Sequence, residues 1–393
     1  MAMPAEAARG VLGSLLRDFP SPLGPEDPLP WSAQGSAALS RAEAPGELAE
    51  LARRFLGGRD APPFLAASLI HAAIDEVLQT DLSVFKKQSV EGEEEGDQGK
   101  FTLLDGGSLQ RCFFNKLRDI CCEWQLLLPS LKSLKRFLLI SSHAIRNVRR
   151  KMEDRHVSLP EFNQLFGLSD DVDRAYFAVF DGHGGVDAAN YAATHLHINV
   201  ALHKEILKNP TEALKGSFQQ TDEMFLFKAE RERLRSGTTG VSALIVGNRL
   251  HIAWVGDSQV MLVQQGKAVT LMEPHKPERE DERMRIEALG GCVTYMDCWR
   301  VNGTLAVSRA IAPHLERKNF LPLEPASKFV CDSDNKLHLN CWLSADALYN
   351  FVQSDSNSSG KIQICGLMLQ ISLWHWKHRK CHTEYTGLDD PLV

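Results

Sequence analysis

Apolar positions along this chain of 393 residues change their period once, near residue 140. Before it they recur three and four residues apart. Leu48, Leu51, Ala52, Phe55 and Leu56 predict a helix stopped by Gly57-Gly58. Leu65, Leu69, Ile70, Ala73, Ile74, Val77 and Leu78 predict a second helix over Pro63–Gln79. Ser108–Ile140 reads as one or two more, with Leu, Phe and Trp124 on the inner face. The first 45 residues carry Pro20, Pro22, Pro25, Pro28 and Pro30, which break helices, beside one short amphipathic piece at Val11–Phe19. After the change, apolar residues bunch into short runs. Tyr176–Phe180 has no charged member and predicts a buried strand. Val241–Val246, Leu250–Val255 and Gln259–Gln264, split by Gly247-Asn248 and Gly256-Asp257-Ser258, predict an antiparallel meander. Val186–Leu207, Thr211–Leu226 and Arg279–Ala288 are helix-like. The mixture predicts an α+β domain behind a helical N-terminal region.

Composition narrows this picture. A hydrophobic content of 44% suits a sizeable core, and a formal charge of -6 argues against nucleic acid as a partner. The nine cysteines follow no framework spacing, which predicts reduced thiols and a cytoplasmic or nuclear location. Neither a signal-peptide pattern nor an apolar stretch long enough for a bilayer is visible, so no membrane association is expected. Glu91–Asp97 is an acidic run that reads as a solvated linker, with attraction of a basic partner as the alternative.

Candidate chemistry gathers at two places. Asp181-Gly182-His183-Gly184-Gly185 ends the predicted strand, so a carboxylate and an imidazole sit at the rim of a rigid sheet, placed for metal chemistry or proton transfer. An ordinary strand-to-turn junction is the alternative. In Arg146–His156, four arginines and a lysine surround Glu153 and Asp154. Such a segment either is a solvated charged face or holds a phosphate on its cations while the carboxylates face a hard cation. Asp257 ends another apolar strand, as Asp181 does.

The ordered set RRKMEDRH, FAVFDGHGG, SGTTG, WVGDSQ, EPHKPER, EALGG and NGTLAVSRAI resembles the metal-dependent PPM (type 2C) serine/threonine protein phosphatases over residues 141–311. The resemblance implies a two-sheet β-sandwich flanked by helices. It also implies two Mn2+ or Mg2+ ions, with a third held more weakly, and a metal-activated water that attacks phosphorus. On this resemblance Asp181 and the Gly182 carbonyl are metal ligands, and Glu153 and Asp154 orient metal-bound waters. Asp257 faces the weaker ion, Arg149 grips substrate phosphate, and His183 protonates the leaving oxygen. The N-terminal EDPLPW, GELAELA and acidic run are similar to one branch of the family. That similarity implies phosphorylated calmodulin-dependent and p21-activated kinases as substrates and PIX-type exchange factors as partners.

The resemblance ends at Ile311, where Ala312-Pro313 replaces the family's Gly-Asp. Two later metal-ligating carboxylates of the family have no counterpart downstream. The sequence therefore divides into a helical N-terminal regulatory or interaction region (1–140), a partial phosphatase domain (141–311) and a divergent C-terminal tail (312–393). Sheet edges left uncovered by the missing strands are expected. The alternative functional reading is a catalytically impaired form that acts as a partner-binding or competitor protein.

Overall fold

The computed structural model describes residues 5–31, 37–87, 102–131, 138–146, 149–264 and 267–311, with two short strands at 326–331 and 370–372. The acidic run at 91–97 and most of the 312–393 tail lie outside the described residues.

Four helices come first: α1 (Ala5–Asp18), α2 (Ala44–Gly57), α3 (Pro63–Gln79) and α4 (Gly106–Leu126), with the short strands β1 (Ala38–Ser40) and β2 (Leu103–Asp105) paired between them. The prolines from Pro20 onward follow α1 rather than breaking it, so the amphipathic piece grows into a full helix that packs on α4 through Ala8, Leu12 and Leu15. Ahead of α2, the Ser40 N–H donates to Glu43 Oε2 at 2.7 Å and the Glu43 N–H to Ser40 Oγ at 3.3 Å, a reciprocal cap. Asp105 starts α4 by accepting from the Ser108 N–H at 2.8 Å.

The second half is built on sheets. β3 (Arg155–Leu159) is followed by the short α5 (Phe162–Leu165), then β4 (Arg174–Phe180), β5 (Gly182–His183), α6 (Asp187–Leu202) and α7 (Pro210–Glu232). β6 (Gly237–Thr238), β7 (Gly240–Val246), β8 (Arg249–Val255), β9 (Gln259–Gln264) and β10 (Lys267–Thr270) continue the chain. α8 (Glu280–Ala288), β11 (Val293–Tyr295), β12 (Trp299–Val301), β13 (Ala326–Cys331) and β14 (Gln370–Ser372) complete it. Five strands form one sheet in the order β13-β8-β7-β4-β3, and a second sheet runs β10-β9-β14.

Alternation along β4 shows how the layers form. Tyr176, Ala178 and Phe180 point into a core shared with the helices, whereas Ala175, Phe177 and Val179 point into a second core with Val260, Leu262, Leu271 and Met272. A strand buried on both faces needs an apolar residue at every position, which is why its sequence is an unbroken run. The helix-side core is continuous from Ala8 to Ile311, and α2 and α3 pack directly on α6 and α5. No described helix is long and apolar enough to cross a membrane.

The tail changes the expectation of bare edges. β13 pairs antiparallel with β8, from Ala326 opposite Trp254 to Cys331 opposite Arg249, and β14 pairs with β9. Both strands lie in the 312–393 segment, which the sequence reading sets apart as a tail.

Candidate active site

The predicted site residues collect at one end of the five-stranded sheet because antiparallel pairing brings strand starts beside strand ends. β3 and β4 pair with Arg155 opposite Phe180 and Leu159 opposite Tyr176. The acidic pair Glu153-Asp154 immediately precedes β3, and Asp181-Gly182 immediately follows β4, so the ladder's last pair brings the two dipeptides to the same end of the sheet. The spacing is tight: a Cβ built on Gly182 would lie 2.5 Å from the Glu153 carbonyl oxygen and 3.2 Å from Ala189 Cβ. Glycine at 182 therefore lets the acidic pair approach the end of β4. Gly184 and Gly185 adopt φ values of 69° and 139°, which turn the chain into α6.

Neighbouring strands lock this corner. The Thr239 N–H donates to the Asp181 carbonyl at 2.9 Å, and the hydroxyls of Thr239 and Ser258 are 2.7 Å apart. β5 pairs with β6, which sets His183 opposite Gly237. Thr238 and Ile311 exchange two backbone hydrogen bonds of 2.9 Å, tying the last family-like motif to the same edge. Asp181, Glu153, Asp154 and His183 are half-buried here, whereas Arg149 lies on an exposed stretch just before β3. The structure thus groups Asp181, Gly182, Glu153, Asp154 and His183 at the β3–β4–β7 corner, with Asp257 on the adjacent strand end.

Asp257 carries an ion pair. Lys276 Nζ donates to its Oδ2 at 2.5 Å, and the two side chains are 39% and 7% exposed. Among the described residues, no group of three or more His, Cys, Asp or Glu side chains is arranged to hold a metal ion.

Residues without an assigned role in the sequence stabilise this end of the sheet. Glu282 on α8 is fully buried and accepts from Ser308 Oγ at 2.6 Å, Arg285 Nη2 at 2.8 Å and Arg309 Nε at 3.0 Å. Burial raises its pKa, but the hydrogen bonds from Arg309, Arg285 and Ser308 outweigh this and hold the carboxyl well below its ordinary range. His275 stacks on Trp254 and accepts the Gly256 N–H on Nδ1 at 3.1 Å. Burial, helped by the Arg309 charge, pushes its pKa down to about 4, so the ring stays neutral and Nδ1 stays an acceptor. The sequence offers no local signal for this network: Glu282 and Arg285 sit in a charged helical stretch that reads as a solvated surface, and Ser308 and Arg309 lie 26 and 27 residues beyond Glu282.

A profile of the protein phosphatase 2C family matches residues 138–325. The chain is 58% identical over 349 residues to protein phosphatase 1F of Homo sapiens, covering 87% of this chain and 77% of that protein. Against protein phosphatase 1E of Mus musculus it is 48% identical over 335 residues, covering 85% of this chain and 43% of that protein. A solved structure described as a C. elegans sex determining protein superposes with a TM-score of 0.60 at 21% identity, covering 83% of this chain and 79% of that one, a likeness of fold.

Proposed function

Given that the chain belongs to the protein phosphatase 2C family, and so is a protein serine/threonine phosphatase by kinship, we propose that the corner around Asp181 is where phosphoserine or phosphothreonine is bound and hydrolysed. The observation that carries this is the end of the β3–β4 ladder at Arg155 and Phe180, with Gly182 packed against the Glu153 carbonyl, which brings the acidic pair to the end of β4. In this reading the exposed guanidinium of Arg149 orients the phosphate by paired hydrogen bonds. His183 delivers a proton to the departing serine or threonine oxygen. Kinases that carry such phosphates, of the calmodulin-dependent and p21-activated classes, are the proposed substrates, and PIX-type exchange factors the proposed partners.

Oxygen donors from Asp181, the Gly182 carbonyl, Glu153 and Asp154 match the hard-ion chemistry of Mn2+ or Mg2+. The described residues do not assemble a three-ligand set, however, and Asp257 is already paired with an ammonium group. The donor set on hand does not by itself fit a dinuclear centre.

That mismatch favours a second reading, in which the chain is catalytically impaired and acts by binding partners. Phosphate release from a phosphothreonine peptide, measured with and without Mn2+ on the full chain and on Asp181→Asn, separates the two. Slow Mn2+-stimulated release, lowered at least about a hundredfold in the variant, is the expected result for an enzyme whose ion site depends on Asp181. Release from the parent chain no faster than from the variant leaves the partner-binding reading.

A further inference from the structure

We infer that Arg155 is a positioning residue, whose guanidinium fastens the backbone of Met152–Asp154 to α6 through Asn190 and so holds Glu153 and Asp154 at the end of β4. Its effect on turnover rests on the phosphatase reading of this corner, whereas the fastening itself does not.

The β3–β4 ladder begins at Arg155 opposite Phe180, so strand pairing does not place the three residues before it. Arg155 reaches back over them. Its Nη1 donates to the Asp154 carbonyl at 2.7 Å and to the Met152 carbonyl at 3.2 Å. The carbonyl between these two, that of Glu153, is the one packed against Gly182. From the other side of the guanidinium, Nε donates to Asn190 Oδ1 at 2.5 Å, in the first turn of α6. A planar fork of five N–H groups suits two carbonyls and a side-chain amide at once, whereas the three donors of a lysine ammonium sit on one atom and do not span them. Asn190 is a firm anchor. Its own N–H donates to the Val186 carbonyl at 2.9 Å, and the Ala188 N–H donates to Ser236 Oγ at 3.0 Å. Ala188 and Ala189, just before it, are fully buried, and Ala189 Cβ lies 3.2 Å from where Gly182 would carry one. The same turn of α6 therefore meets Gly182 directly and the Glu153 segment through Asn190. Arg155 is thus committed to the protein's own backbone, whereas Arg149 in the same charged stretch is exposed.

Hydrogen exchange of the full chain, read by mass spectrometry over residues 150–159, tests the fastening. The parent is compared with Arg155→Met, Asn190→Ala, Asn190→Asp and the double variant of Arg155→Met with Asn190→Ala. Arg155→Met is expected to speed exchange there about tenfold to a hundredfold, the scale of a charge-assisted hydrogen bond, while β7 and β8 stay protected. Asn190→Ala is expected to speed it too, and the double variant no more than Arg155→Met alone. Asn190→Asp keeps an acceptor and is expected to match the parent. Unchanged exchange in Arg155→Met, or single effects that add in full, overturns the inference. Should Arg155→Met fail to fold, equal exchange in Asn190→Ala and Asn190→Asp overturns it instead. Phosphate release from the phosphothreonine peptide then separates positioning from contact. Arg155→Met is expected to lower kcat about tenfold to a hundredfold, as misplaced groups do, with KM within about twofold of the parent. An unchanged kcat, with or without a raised KM, overturns the positioning role. If the parent itself releases no phosphate, the phosphatase reading fails, and the exchange result still decides whether Arg155 fastens the acidic pair.

Discussion

His275 and Glu282 lose their native protonation states in two separate pH windows. For His275 the folded pKa is pushed down to about 4 from an ordinary 6.5, so the unfolded chain binds the extra proton first. Its contribution to stability is complete above pH 6.5 and falls as the pH drops toward 4. Glu282 is also depressed, from an ordinary 4.5, so its contribution is complete above that pH and falls only in stronger acid. Thermal melts from pH 7 to 3 should therefore show His275→Asn flattening the slope between about 6.5 and 4, where the amide oxygen stands in for Nδ1. Glu282→Gln should leave Arg285 and Arg309 without their buried carboxylate, at a cost of about 3–5 kcal/mol near neutrality, and flatten the slope below 4.5. Gly182→Ala tests the close approach of the acidic pair. A methyl group 2.5 Å from the Glu153 carbonyl must push β3 and β4 apart, lowering stability by about 1–3 kcal/mol and lowering any Mn2+ uptake with it. Binding calorimetry at matched folded fraction checks the second effect. Asp181 could be found from sequence because an apolar run ending in a glycine-rich turn is conspicuous. Lys276 could not, because an ion pair across nineteen residues has no local pattern.

Elements were legible where one face of a helix or both faces of a strand are apolar. α3 falls on the predicted Pro63–Gln79, and β7, β8 and β9 lie within a residue or two of their expected limits. β3 was not foreseen, because Arg155, His156 and Ser158 alternate with Val157 and Leu159 in a segment whose charge density dominates the reading. Nor was the seam between α2 and α6. It depends on Gly46, where an added Cβ would lie 2.4 Å from His195 Nδ1 and 2.9 Å from the Thr194 carbonyl. Beside it, Glu47 Oε1 lies 3.6 Å from His195 Nε2 on α6, and Glu43, just ahead of α2, lies 3.4 Å from Arg231 Nη2 on α7, so polar contacts tie this end of α2 to both helices. Glycine inside a helix ordinarily costs about 1 kcal/mol relative to alanine. Two helix glycines of this chain should therefore respond with opposite sign. Gly10→Ala in α1, with nothing within 4 Å, is expected to stabilise by roughly 0.5–1 kcal/mol. Gly46→Ala gains the same helix propensity but forces α2 off α6, with an expected net loss of about 1–3 kcal/mol. Chemical denaturation of the two variants against the parent measures both. A stabilising Gly46→Ala would mean that the seam yields without cost.

At the scale of the whole molecule, the sequence predicts two sheets and flanking helices, and the structure builds them. It predicts uncovered edges as well, and there the structure departs from it. Strand pairing is read from the register of two segments far apart in sequence, and β13 meets β8 across more than seventy residues with no turn signal to announce it. The consequence can be tested on the edge itself. β8 carries Leu250, Ile252 and Trp254 on one face and Ala253 and Val255 on the other, all buried, and β7 satisfies one side of its backbone. Six residues of β13, from Ala326 to Cys331, satisfy the other. A chain ending at residue 325 would leave a long, apolar strand with a row of open N–H and C=O groups, the feature that templates pairing between molecules. Light scattering coupled to gel filtration should find this chain self-associated at concentrations where one ending at residue 372, with both β13 and β14 retained, matches the parent in mass. If the shorter chain instead stayed monodisperse with an unchanged melting temperature, β8 would not need the strands that follow residue 325. The contrast between the two cut points matters more than either result alone, because both remove the residues after 372 and only the shorter chain loses β13 and β14.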